Sequence, residues 1–427
     1  MLSRLDLRAF DGDLDAVLAR PQPGGDEPLA AVREIIATVR RDGDAALFAL
    51  TERFDGAQLD SLRVPAGDLE AALMSVPPAF REALEFAKAQ ILAYHRTQLP
   101  TELRHEREGV VVRDVVRPVD RAGLYVPGGR AAYPSTVLMT AIPAQVAGVG
   151  EIALCVPPDR DGRLPAATMA AAALVGIEEV YRVGGAQAIA AMAYGTESIK
   201  RVDVIVGPGN VYVTLAKREV NGIVGIEATA GPSELVVVAD ESTPPEYVAI
   251  DLMAQAEHGP NGAAVLVTWS EDLAKAVDGL LTELVAESPR RAEIEATLAE
   301  GGLSVLVDGP AGAMAVANIV APEHLQLMNA DPEALVPLVR NAGAVFTGHY
   351  APACVGDYVA GVNHVLPTAR TARFSSALRV DHFMKHLHVV SLDEAALARV
   401  TPYVAAFADV EGLDAHGRSV RVRGART

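Results

Sequence analysis

The chain has 427 residues, 50% of them hydrophobic and 22% charged, with a net charge of −18 and two cysteines, Cys155 and Cys354. That length suggests two or three domains. The acidic balance and the lack of a long Lys/Arg run argue against a nucleic-acid partner, and two cysteines exclude both a disulfide framework and a cysteine-rich zinc motif. A metal would therefore need His, Asp, Glu or amide ligands. The longest apolar run, Val137 to Val156, is interrupted by Pro143, Gln145, two glycines and Glu151. It reads as a buried helix followed by a strand, not a membrane span. The opening "MLSRLDLRAF" lacks the apolar segment and cleavage site of a secretory signal. A cytoplasmic location is the expectation.

In chain order, the part up to about residue 120 reads as helical. "LAAVREIIATVRRDGDAALFALTERFDG" has apolar residues at helical spacing and stops at Asp55-Gly56. "PPAFREALEFAKAQILAYHRTQ" is a second amphipathic helix with prolines at its start. Beyond residue 120, β-branched runs alternate with helical ones. "EIALCVPP", "EEVYRVGG" and "VDVIVGPGN" precede "LPAATMAAAALVG", "AQAIAAMAYG" and "VYVTLAKREVNG". A second series follows in "SELVVVAD", "AAVLVTWS", "LSVLVDGP" and "AGAVFTGH". The chain closes on a small tail containing a helix and on a short basic end, Arg418 to Arg426, read as solvated. The alternation predicts an α/β fold with two Rossmann-like, incomplete α/β units, parallel-rich sheets, and small N- and C-terminal helical appendages.

Ligands of open α/β sheets sit at the carboxyl ends of strands. Gly184-Gly185 and Gly207-Pro208-Gly209-Asn210 are expected there. They fit either a nucleotide's approach to the backbone or plain tight turns. The GxGxxG fingerprint is absent, since Asn210-Val211-Tyr212 follows Gly209 without a third glycine.

Four polar stretches stand out. In "QAEHGP", Gln255 and His258 are three apart at the end of a helix and share a face. Upstream, Thr243 and Glu246 read as a capping box. The pair fits half of a metal site, and equally a helix C-terminus whose histidine meets the dipole. Glu323-His324 follows Pro322 at the start of an element, where an acid and an imidazole can move protons or activate water. The alternative is a terminal glutamate beside a solvated histidine. Asp357 lies in "VGDYVAGVNHVLPT" with His364 downstream, a setting also suited to a turn. Glu411 and His416 lie in "EGLDAHG" of the polar tail, where disorder is the usual expectation.

These stretches occur in order with "GLYVPGG", "YPSTVLMTAIPAQVAGV", "VGGAQAIAAMAYGT", "VGPGNVYVTLAKR", "VGIEATAGPSELVVVAD" and "ARFSSALRV". Together they resemble the histidinol dehydrogenase family over essentially the whole chain. The resemblance implies a zinc-dependent, NAD-dependent four-electron oxidation of L-histidinol to L-histidine through L-histidinal, the last step of histidine biosynthesis. It implies one Zn2+ per subunit, with Gln255, His258, Asp357 and His416 as ligands. It assigns proton transfer to Glu323 and His324, with His324 as general base and Glu323 activating water. NAD contacts fall on Tyr125, Gln187 and Asn210. Substrate contacts fall on Ser233 and Glu411, together with Gln255, His258, His324, Asp357 and His416. It also implies an intertwined homodimer whose C-terminal tail reaches the partner's site. Its division of the chain is 23–122 with 233–378, 123–232 with the NAD contacts, 1–22 with 379–404, and 405–427. The chain departs from the commoner pattern at Glu227 (usually Asp), at Ala377 (usually Gly) and just before Gly356-Asp357-Tyr358. A relative that oxidises another polar alcohol, such as an amino alcohol or sulfonated diol, is the nearest alternative. A metal-dependent hydrolase would also use a Gln/His/Asp/His set with an adjacent Glu, but would leave the Gly207–Asn210 turn unexplained. A non-catalytic nucleotide-binding protein would leave the acid–base pair unexplained.

Overall fold

The computed structural model describes residues 1–18, 26–128, 132–228, 231–259 and 261–424. Pro260 of the expected helix stop, the expected boundary at residues 22 and 23, and the last two residues of the basic end lie outside them. The strands are β1 (Ser3–Asp6), β2 (Leu103–Arg107), β3 (Val110–Pro118), β4 (Arg121–Tyr125), β5 (Glu151–Val156), β6 (Glu179–Arg182), β7 (Val204–Val206), β8 (Gly225–Ile226), β9 (Glu234–Ala239), β10 (Ala263–Thr268), β11 (Gly302–Leu306), β12 (His324–Leu327), β13 (Ala344–Thr347) and β14 (Met384–Leu392). The chain divides into two compact units, one of residues 1–98 with 120–383 and one of residues 99–119 with 384–427.

The first unit holds both parallel sheets. One has the order β6-β5-β4-β7-β8 and the other β1-β11-β10-β9-β12-β13, with every pairing parallel. Leaving β1 aside, both sheets place their strands third, second, first, fourth, fifth in chain order. The two α/β units expected from the sequence therefore share one topology. Helices cover the strands, which is why β4, β9 and β10 are buried at every residue and are mostly apolar, with Arg121, Glu234 and Thr268 at strand ends as the exceptions. One core cluster joins Val32, Val39 and Leu47 to Ile189, Ile205 and Val213 beside the five-stranded sheet. Two others flank the six-stranded sheet, one around Val237, Leu252 and Leu281 and one around Val236, Val305 and Leu325.

The second unit is an antiparallel sheet, β14-β3-β2, with the helices Glu394–Glu411 and Asp414–Gly424. This corrects the helical reading of the first 120 residues. Val110, Val111, Val112, Val115 and Val116 are β-branched and interspersed with charges, a pattern that suits a half-buried strand. Glu108 and Gly109 both have positive φ (52° and 73°), the two-residue turn that closes a hairpin. The tail likewise holds a long strand and two helices, where one helix was expected.

A smaller correction concerns the helix Pro245–Ala256. Its N-cap is Pro244, with no side-chain cap. The Thr243 hydroxyl donates instead to the Met328 carbonyl at 2.8 Å. Pro245 has no N–H, so this end has one fewer donor to satisfy.

Candidate active site

Two neighbouring strands of the six-stranded sheet start at the same level, with His324 opposite Leu235 in register. The residues just before them therefore meet. Ser233 Oγ donates to Glu323 Oε2 at 2.6 Å, and the Glu234 backbone N–H donates to the same oxygen at 3.1 Å. Glu323 and His324 are buried. His324 Nδ1 lies 3.3 Å from the Glu234 carbonyl, which can only accept, so Nδ1 carries a hydrogen. Nε2 faces Asp357 Oδ1 at 3.5 Å. Burial alone would lower the His324 pKa. The charges of Glu323 and Asp357 and the hydrogen bond with Asp357 outweigh it and lift the imidazole to about 9.

Gln255 and His258 approach from the end of the helix Pro245–Ala256. His258 lies beyond the C-cap, Glu257, in the following turn. Its Nδ1 donates to the Ala254 carbonyl at 3.1 Å, which leaves Nε2 free of that bond. Gln255 is buried; its Oε1 accepts from Ser233 Oγ at 3.4 Å, while its Nε2 is buried with no hydrogen-bond partner among the described residues. Asp357 comes from the short helix Ala353–Tyr358. Burial raises its carboxyl, but the hydrogen bond and charge of His324, with His364 and His258, hold it below the ordinary carboxylate value. The Asp357 carbonyl accepts from His364 Nδ1–H at 2.9 Å, so His364 Nε2 accepts from Thr136 Oγ1 at 3.2 Å. Burial holds His364 below the ordinary histidine value, consistent with a neutral ring in that relay.

Eight residues expected at the site thus split by location. Ser233, Gln255, Glu323, His324 and Asp357 are joined by contacts of 3.5 Å or less, and His258 lies near enough to act on the Asp357 charge. Glu411 ends the helix Glu394–Glu411 and His416 lies in the helix Asp414–Gly424, both exposed in the second unit. The joined residues sit at the amino ends of β9 and β12, not at the carboxyl ends that open α/β sheets favour. They gather there because the helix Pro245–Ala256 runs back from the far end of β9 and delivers Gln255 to the starting edge. Among the described residues, no three His, Cys, Asp or Glu side chains form a metal-holding group. Of the four expected ligands, the first unit supplies His258 and Asp357, with Gln255 as an amide. Imidazole nitrogen with carboxylate and amide oxygen is a donor set that suits zinc chemically, whereas the unpartnered Gln255 Nε2 is a donor and would face an acceptor, not a cation.

The expected nucleotide contacts lie at the carboxyl edge of the five-stranded sheet. A cleft of about 1330 Å³ is lined by Tyr125 at the end of β4, Pro157 after β5, Gln187 after β6 and Asn210 after β7. That is the switch point where strand order reverses, the usual ligand crevice of such sheets. Asn210 caps the helix Val211–Val220, its Oδ1 accepting from Tyr212 and Val213 N–H at 3.0 and 3.2 Å. The Tyr125 hydroxyl accepts from Gly185 N–H at 3.1 Å, and burial pushes the phenol well above its ordinary value. Asp55 also lines this cleft and was read in the sequence only as a helix stop. The relay partner Thr136 and the buried pair Lys217–Glu227 were likewise not singled out as site residues. Each sits in an ordinary helical or loop pattern, so only long-range contacts reveal it.

Residues 18–424 match the family model described as histidinol dehydrogenase. A histidinol dehydrogenase of Synechococcus sp. is 50% identical over 397 residues, 92% of each chain. That of Geobacillus kaustophilus is 49% identical over 403 residues, 94% of this chain and 95% of its own. The crystal structure of histidinol dehydrogenase from Elizabethkingia anophelis matches with a TM-score of 0.95 at 34% identity, covering 99% of this chain and 98% of that one. With motifs, fold and these matches in agreement over nearly its full length, the chain belongs to the histidinol dehydrogenase family of NAD-dependent dehydrogenases.

Proposed function

We propose that the protein oxidises L-histidinol to L-histidine through L-histidinal, reducing two NAD per turnover, as the last step of histidine biosynthesis. The observation that carries this reading is the joining of Ser233, Gln255, Glu323, His324 and Asp357 from separate chain segments into one contact network. Gln255, His258, Asp357 and His416 would hold Zn2+, and Tyr125, Gln187 and Asn210 would hold NAD. Bound zinc would supply a template for the substrate's imidazole and amine nitrogens and would offset the carboxylate charge that keeps His324 protonated.

His324 Nδ1 is committed to the Glu234 carbonyl, so Nε2 takes the alcohol proton while a hydride leaves carbon for the first NAD. The aldehyde must then gain water. Glu323 Oε2 is held by Ser233 and Glu234 N–H, which leaves Oε1 to draw a proton from the attacking water. The hydrate loses its proton to His324 Nε2 and a second hydride to a second NAD. The same imidazole serves twice because a histidine exchanges protons readily near neutrality once its neighbours' charges are balanced.

Glu411 and His416 would complete the substrate and metal sites across an intertwined homodimer in the cytoplasm. The division of the chain into parts 23–122 with 233–378, 123–232, 1–22 with 379–404, and 405–427 belongs to the same proposal. No helix among the described residues is long and apolar enough to cross a membrane.

The test is to follow NADH from purified protein, L-histidinol and excess NAD, before and after zinc chelation. About two NADH per histidinol, lost on chelation and restored by zinc, is the expected outcome. One NADH per alcohol would reduce the reading to a single-step dehydrogenase. No turnover with zinc bound would move it to another polar alcohol, and turnover without NAD to a hydrolase.

A further inference from the structure

Lys217 and Glu227 form the most deeply buried ion pair among the described residues, with side chains 1% and 2% exposed and Nζ 2.7 Å from Oε1. Neither touches the contact network around Glu323. What they hold is one residue of the main chain. Glu227 Oε1 accepts the Gly207 N–H at 2.7 Å, and Lys217 Nζ donates to the Gly207 carbonyl at 3.1 Å. Both polar backbone groups of Gly207 are therefore gripped by opposite ends of the same pair.

Gly207 is the first residue after β7 and opens the turn that ends at Asn210. Its φ is +123°, and a Cβ built there would lie 2.0 Å from the Tyr125 carbonyl oxygen. The turn is thus pressed against the end of β4, where Tyr125 stands. Lys217 lies in the helix Val211–Val220 that Asn210 caps, and Glu227 follows β8 on the far side of the turn. The pair ties three elements around the backbone that presents Asn210 and Tyr125 to the cleft.

Burying two charges is expensive, and a well-packed apolar pair is often as stable. A pair in such a place is better explained by the geometry it imposes than by stability. We infer that the Lys217–Glu227 pair is a positioning device for the nicotinamide dinucleotide, setting the Gly207–Asn210 turn so that Asn210 and Tyr125 meet the cofactor. The inference rests on the assignment of this cleft to NAD.

The test is an NADH fluorescence titration of the full-length wild type and of the double variant Lys217→Met/Glu227→Gln, with thermal unfolding measured in parallel. The double variant removes both charges and leaves no ion unpaired, so it is the variant that folds most readily. The expected result is a rise of about tenfold or more in the Kd for NADH. The KM for NAD should rise in step, with kcat at saturating NAD and the KM for the alcohol within about twofold of wild type. A purely structural pair would lower the unfolding temperature and leave NADH affinity within about twofold. That outcome overturns the inference while leaving the cleft assignment standing. Absence of NADH binding by the wild type overturns the assignment and the inference together. Glu227→Gln alone, which keeps the side chain's shape and an acceptor, provides a second variant should the double substitution not fold. An unchanged NADH affinity in that variant also overturns the proposal.

Discussion

Glu323 accepts two hydrogen bonds on one carboxylate oxygen, from Ser233 Oγ and from the Glu234 backbone. A glutamine at this position keeps an acceptor for both donors and loses only the ability to take a proton. Glu323→Gln is therefore a clean chemical probe. In the proposed reaction the alcohol step needs only His324, whereas the aldehyde step needs an activated water. The expected outcome is a loss of about a hundredfold or more in histidinal oxidation, with histidinol-to-histidinal oxidation reduced by less than about tenfold. Steady-state NADH formation from each substrate separately checks this, and equal losses would refute the division of labour. Glu323-His324 stood out in the sequence as an acid beside an imidazole. Its anchor did not, because the Ser233 and Glu234 contacts join positions about ninety residues apart.

The helix Asp26–Asp55 shows how an element's end shapes the cleft. It is kinked at Gly43, where φ is 55° and ψ −132°, and it ends by placing Asp55 in the cleft wall. A carboxylate at a helix C-terminus faces the negative end of the dipole. Asp55 Oδ2 is buried with no hydrogen-bond partner among the described residues. Burial raises the Asp55 carboxyl to about 6, from an ordinary 3.8. An acid whose folded pKa is raised binds its proton more tightly when folded. Folding is thus unpenalised below the unfolded pKa, loses stability as pH rises, and carries the full cost above the folded pKa. Asp55→Asn removes that cost. The variant should unfold at higher denaturant concentration than wild type at pH 8, and the gap should close as pH falls through 6 toward 4. Urea unfolding at a series of pH values checks it. A gap that is constant with pH would mean that Asp55 is not the titrating group. The stop at Asp55-Gly56 was legible from the helical spacing and the glycine. The direction in which the last side chain points was not, since it depends on the sheet against which the helix packs.

At the scale of the whole molecule, Glu411 and His416 belong to the second unit, while Gln255, His258 and Asp357 belong to the first. Glu411 and His416 are exposed on their own unit, although the family resemblance gives them roles in substrate and metal binding. An exposed pair of such residues is accounted for if each tail completes the site of a partner subunit, an arrangement natural to a two-fold dimer. Mixing His416→Ala subunits with Gln255→Ala subunits tests this. With shared sites, some mixed dimers carry one site with every ligand intact, and NADH formation should recover toward about a quarter of the wild-type level after full exchange. No recovery, with exchange shown by a subunit label, would place each site within one chain.

The sequence by itself determined the alternation of strands and helices after residue 120, the glycine turns at strand ends, and the motifs that carry the family resemblance. These depend on near neighbours and on side-chain periodicity, which the linear order records directly. It misread residues 103–118, where a helical expectation met runs of β-branched valine and a Glu108-Gly109 turn, and it left β12 unassigned. Only the tertiary structure decided that the two sheets share one strand order, that the Glu323 network lies at the amino ends of its strands, and that Lys217 and Glu227 grip Gly207. Those features depend on which strands lie side by side and in what register. Burial, hydrogen-bond completion and charge pairing settle that jointly across the chain, and no short window of residues encodes it.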